Sequence, residues 1–246
     1  MTAARSEALS RHLAAEHRIG PAQEFLKEIV YGGNDGIVTT FAIVAGFAGA
    51  GAEGAATVGA GAVLLFGLAN LFADATAMGL GAFLSSRSEQ DVWRAMRAKE
   101  RAEIDNNPEM ERREMLEILS DRGVCETDAT AMADILQRNP EVMTDLMMQY
   151  ELVLSDPTRD RPALIALATF LAFILFGSAP LLPYFLAPPT ATTFNISLAS
   201  SVGALIALGL LRWKVTSETL RRCVGETLLV GGICGLVAFT VGLMFA

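Results

Sequence analysis

Arg97–Glu117, RAKERAEIDNNPEMERREMLE, is a polar, acid-rich stretch in an otherwise oily chain. Two hydrophobic spans come before it and three come after it, so its position sorts the apolar runs into a pair and a triplet. Of the 246 residues, 52% are hydrophobic. They fall in long uncharged runs, which places the chain with membrane proteins rather than soluble domains. The net charge of −8 is localised: Ser85–Pro162 holds 18 acids against 11 Lys and Arg. A domain of that sign is not a nucleic-acid binder. Cys125, Cys223 and Cys234 show no C-x-x-C spacing, so no disulfide framework is implied. The first 28 residues are polar and lack the cleavage pattern of a signal peptide.

Outward from the insert, the first span reads from Ile29 or Tyr31 to Ala50, and the second from Val58 to Leu84. The third reads from Ala163 to Leu182, the fourth from Phe194 to Leu211 and the fifth from Thr227 to Ala246. Each approaches the roughly 20 residues that cross ~30 Å of hydrocarbon. Continuous apolar runs of this length need helices, because strands would alternate. The expected fold is therefore an all-α integral membrane protein with five transmembrane helices and a helical insert between the second and third. Ahead of the first span, Phe25, Leu26, Ile29 and Val30 oppose Glu24, Lys27 and Glu28. That pattern suits an amphipathic helix lying on the bilayer, or a polar leader ahead of a span. Met1–Gly20 has the makings of a further short amphipathic helix. Four segments follow: 1–28 as leader, 29–84 as spans one and two, 85–162 as insert, and 163–246 as spans three to five.

Orientation follows from the cations. Arg5, Arg11, Arg18 and Lys27 precede the first span, eleven Lys and Arg lie in the insert, and Arg212, Lys214, Arg221 and Arg222 separate the fourth and fifth spans. These are all 19 in the chain, and five spans put every one on the same side. The positive-inside rule makes that side cytosolic. The N-terminus and insert then face the cytosol and the C-terminus faces away.

Within the insert, Ser85–Asp105 has few helix breakers and can extend the second span. Asn107-Pro108 and Asn139-Pro140 each restart a helix, with Asn as cap and Pro at the first position. Gly123 ends one helix, and Thr127 or Asp128 caps the next. The last helix carries Met143, Met147, Met148 and Glu151. Such a bundle of ~75 residues is near the lower limit for a self-standing core.

Two Glu-x-x-Glu pairs, Glu100/Glu103 and Glu111/Glu114, each set two carboxylates on one helical face. Helical bundles hold di-iron and di-manganese centres with such pairs; solvated helix surfaces carry them too, and Arg101, Arg112 and Arg113 lie nearby as ion-pair partners. Met147, Met148 and Glu151 favour the metal reading, since a thioether selects a softer transition metal than calcium or magnesium. The same methionines also suit core packing. In the membrane part, Asp35 falls inside the first span once Tyr31–Asp35 is included to reach a crossing length. Asn70, Asp74 and Met78 stack at intervals of four along the second. Carboxylates in such places commonly mark an ion or proton path, and two acids, an amide oxygen and a thioether can hold a divalent cation. Hydrogen bonding of Asp74 to hydroxyls between helices is the structural alternative.

These residues resemble the vacuolar iron transporter family, which includes plant nodulin-21-like and yeast calcium-cross-complementer proteins. The matching features are the segment before the first span, Asp35 in N-D-G-I-V-T-T, Met78-Gly79, the glutamates of the insert, and three closing spans, over Pro21–Ala246. The chain looks like a prokaryotic member. The resemblance implies a five-span homodimer that moves ferrous iron, often manganese too, out of the cytosol in exchange for protons. It implies transport roles for Asp35 and Met78, and metal binding at Glu100, Glu103, Glu111, Glu114, Met147 and Glu151. The chain departs from the family pattern at Asn70, where an acid is common, at Gly81-Ala82-Phe83, and at Met148; Asp74 can stand in for the missing acid.

The reading of function is thus a proton-coupled carrier of Fe2+ or Mn2+, not an enzyme and without a permanent cofactor, seated in a bacterial plasma membrane. The competing reading is a membrane-anchored metal-binding, ferroxidase or sensor protein. A ferroxidase usually adds a Glu-x-x-His pair, and both histidines of the chain, His12 and His17, lie outside the insert.

Overall fold

The computed structural model describes residues 20–49 and 52–244. The expected helix in Met1–Gly20 lies outside them apart from its last residue. Among the described residues all regular structure is helical: α1 (Pro21–Glu24), α2 (Leu26–Gly49), α3 (Ala52–Asn106), α4 (Pro108–Asp121), α5 (Glu126–Gln137), α6 (Pro140–Tyr150), α7 (Pro162–Gly177), α8 (Leu182–Leu186), α9 (Ala191–Val215) and α10 (Leu220–Leu243). The chain divides into two compact units. One is Phe83–Pro162, and the other is built from the segments on either side of it.

Among the described residues, three stretches are long and apolar enough to cross a membrane, namely Gly61–Asn106, Ala191–Val215 and Leu220–Val241. Their outward faces carry Leu65, Phe66 and Phe72 on α3 and Leu229, Ile233 and Leu236 on α10, all exposed. Water would penalise that surface and lipid accepts it, so this is an integral membrane protein. Helix α7 is apolar but shorter, at 16 residues.

Several boundaries differ from the sequence reading. Among the described residues no longer separate helix precedes the first span. Only the single turn α1 stands apart, started by Pro21 and held by Gln23 Oε1 on the Gly20 N–H at 3.1 Å. Phe25 leaves helical geometry, and Leu26 onward belongs to α2. Nothing between Leu26 and the span breaks a helix, so the amphipathic turn and the apolar run fuse. The helix that carries the second span begins at Ala52 and, as the few breakers in Ser85–Asp105 suggested, runs on to Asn106. The third expected span, to Leu182, stops at Gly177. Pro180 has no N–H to continue the ladder and disfavours helix at the residue before it. Pro183 then starts α8. Helix α9 ties down this broken connection: Ser197 Oγ donates to Pro180 O at 2.6 Å and Ser200 Oγ to Ala179 O at 2.8 Å.

The core of the membrane unit gathers Val44, Val63, Leu71, Ala75, Phe173, Leu181 and Tyr184. Helix α2 packs against α9 and α10, which also pack on each other. Against α7 it comes so close that a Cβ on Gly36 would sit 2.5 Å from Phe173 O. Only glycine permits that approach, the membrane counterpart of small-residue packing.

Candidate metal centre

The Phe83–Pro162 unit folds around Ile104, Met115, Leu119, Ala129, Ala133, Leu136, Met143 and Met147. Helix α4 restarts at Pro108 and α6 at Pro140, with Asn107 and Asn139 at the preceding position. Their side chains make no capping bond. Asn107 instead accepts through its backbone oxygen from Met110 N at 3.0 Å. Cys125, not Thr127 or Asp128, precedes the first residue of α5. Gly123 takes φ +85 in the turn before it, a conformation that glycine adopts freely.

Three glutamates extend the buried stripes of these helices. Glu100 lies four residues before Ile104 and Glu111 four before Met115, while Glu151 lies four after Met147. At that spacing each carboxylate shares a helical face with a core side chain. Glu100 is 3% exposed and Glu111 5%, and Glu151 is exposed just past the end of α6. One carboxylate oxygen from each comes within 4.8 Å of the others. Glu100 Oε1 and Glu111 Oε2 are buried with no hydrogen-bond partner.

The electrostatics follow from this crowding of carboxylates. Burial first, then the charges of Glu151 and Glu111, push Glu100 up to about 7. Glu111 is raised by burial and by Glu114, and Glu151 by burial and by Glu114 and Glu103. Glu151 also sits where the final carbonyls of α6 concentrate negative charge. An arrangement of buried, unpartnered oxygens and converging anions suits a cation of charge two, with carboxylate ligands on three sides. Val153, two residues on, adopts φ 54, a strained conformation for a β-branched residue.

The other expected ligands stand differently. Glu103 is half-exposed, with Lys99 Nζ at 3.4 Å. Glu103 and Glu114 reach the cluster through their charge. Met147 belongs to the apolar core, and Met148 is equally buried. In the membrane unit Asn70 Nδ2 donates to Asp74 Oδ2 at 2.6 Å, one turn along α3. Asp35 lies on α2, one turn before Thr39. Met78 packs against the membrane core. The sequence reading passed over Asn34, whose Oδ1 is buried without a partner beside Asp35. Its signal was an amide inside a span.

Known proteins resemble this chain along most of its length. Vacuolar iron transporter 1 of Arabidopsis thaliana is 33% identical over 89% of this chain and 85% of its own. The vacuolar iron transporter of Toxoplasma gondii is 34% identical over 98% and 82%, and that of Plasmodium berghei 32% over 96% and 86%. All three are named as transporters, not enzymes. The family model described as the VIT family matches residues 26–243, and the chain belongs to that family.

Proposed function

We propose that this protein is a proton-coupled carrier that moves ferrous iron or manganese out of the cytosol. The observation that carries the reading is the convergence of Glu100, Glu111 and Glu151 with buried, unpartnered oxygens. The relatives named as iron transporters support iron as the cargo. In this reading the glutamate cluster, with Glu103, Glu114, Met147 and Met148 around it, captures cytosolic metal. The cation then passes to a membrane site formed by Asp35, Asn70, Asp74 and Met78. There it meets two carboxylates, an amide and a thioether, a set that suits a transition metal over calcium. Protons arriving at the same carboxylates displace it, which couples metal exit to proton entry.

The one-sided distribution of Lys and Arg supports five spans with the N-terminus and insert in the cytosol. We take the chain to act as a homodimer in a bacterial plasma membrane, with the insert as a domain of its own at 85–162. The test is uptake into proteoliposomes under an imposed pH gradient, with anaerobic Fe2+ and with Mn2+. Inward-acid vesicles should accumulate at least one of them, and movement of neither defeats the proposal. Asp35→Ala should abolish flux while the protein still folds and still binds metal at the insert.

A further inference from the structure

The glutamate cluster must hold its shape before any cation arrives. Its three carboxylate oxygens, all within 4.8 Å of one another, repel each other when ionised. Glu100 and Glu111 come from α3 and α4, joined by a single residue. Glu151 comes from the far end of α6, and two arginines tie that helix to α3. Arg97 Nε donates to Asp145 Oδ1 at 2.8 Å, and its Nη2 donates to Glu141 Oε2 at 2.8 Å. Arg101 Nε donates to the other oxygen of Glu141 at 3.1 Å and also pairs with Asp105. Glu141 therefore bridges both cations. The two arginines flank Glu100 in sequence, and Glu141 and Asp145 lie on the helix that delivers Glu151. A slide or rotation of α6 that carried Glu151 away would break these bonds together. Both arginine side chains are 27% exposed, whereas Glu141 and Asp145 are 66% and 60% exposed. Arg97 is further confined by the Trp93 ring, 5.9 Å from its guanidinium carbon.

We propose that Arg97, together with Arg101, is a positioning residue that clamps α6 onto α3 and so presents Glu151 to Glu100 and Glu111. The proposal rests on the cluster being a metal site. The clamp requires a guanidinium: its fork reaches two acids at fixed angles, which a lysine ammonium does not do.

The test is Mn2+ titration of the full-length protein in detergent, by calorimetry at pH 8, with melting temperature in chelator measured alongside. Arg97→Gln should weaken Mn2+ binding roughly tenfold or more, as loss of an outer support of a metal site does, and Arg97→Lys should recover only part of it. Glu141→Gln and Asp145→Asn, at exposed positions that leave folding intact, should each reproduce part of the loss. Added to Arg97→Gln, they should cause little further loss, because the groups act as one unit. A purely structural role would lower the melting temperature and leave the affinity of the folded protein unchanged. Unchanged affinity in Arg97→Gln and Glu141→Gln, with wild type binding normally, overturns the clamp alone. A wild-type protein that binds no Mn2+ overturns the clamp and the proposed function together.

Discussion

Replacing Glu100 with Gln separates the electrostatics of the glutamate cluster from its packing. The side chain keeps its size and its place one turn before Ile104, but it can no longer ionise. In the wild type, burial and the charges of Glu151 and Glu111 lift Glu100 from 4.5 to about 7. Between those values the folded protein binds more protons than the unfolded chain. Its contribution to stability is therefore full below 4.5 and is lost as the pH rises through 7. The difference is on the order of 3 kcal/mol by pH 8, or about 5–10 °C in melting temperature for a chain of this size. A divalent cation acts in the opposite sense, because it binds the ionised cluster. Proton competition at a ligand titrating near 7 weakens apparent affinity about thirtyfold between pH 8 and 5.5. The assay is thermal unfolding of metal-stripped protein in detergent across pH 5–8, with and without Mn2+. In chelator the wild type should melt lower as pH rises; Mn2+ should restore it at pH 8 and do little at pH 5.5. Glu100→Gln should melt higher than wild type at pH 8 in chelator, vary less with pH, and respond weakly to Mn2+ throughout. A wild type whose melting is flat with pH, and whose Mn2+ response is equal at both ends, refutes the reasoning.

Other consequences are simpler to read. Gly36→Ala drives a Cβ to 2.5 Å from Phe173 O, backbone that cannot swing aside; a loss of about 1–3 kcal/mol should follow, seen as a lower melting temperature in detergent. Val153→Gly should raise that temperature by a few degrees. It relieves φ 54 at a side chain that is 79% exposed and loses no packing, a net gain of about 0.5–1 kcal/mol after the entropy cost of glycine. Asp74→Asn keeps a partner for Asn70 but removes the charge. It should stop pH-driven Mn2+ uptake in proteoliposomes and leave Mn2+ binding at the glutamate cluster within about twofold of wild type, the residual scatter expected for an independent site.

The helical character of the chain was legible because it rests on local rules. Long apolar runs demand helices in lipid, and the two Asn-Pro pairs restart helices at Pro108 and Pro140 as their chemistry requires. The boundaries that shifted depend on weaker signals. The end of α7 is set by the Ser178–Leu181 turn ahead of Pro183, inside a run that stays apolar throughout. The fusion of the pre-span segment with α2 is set by the absence of any breaker. The glutamates teach a different lesson. Glu-x-x-Glu spacing establishes that two carboxylates share a helix face, but it does not say which one faces the core. Register against the apolar stripe does. Glu100 is one turn from Ile104 and is buried, while Glu103, three residues away, pairs with Lys99 at the surface. Glu111 and Met115 repeat the relation on α4. A carboxylate that continues a hydrophobic stripe must be desolvated when the bundle closes, and its charge then needs a proton or a cation. A carboxylate off the stripe keeps its water. The short motif mixes the two kinds, so its glutamates divide between those positioned to ligate and those that only shape the field around them.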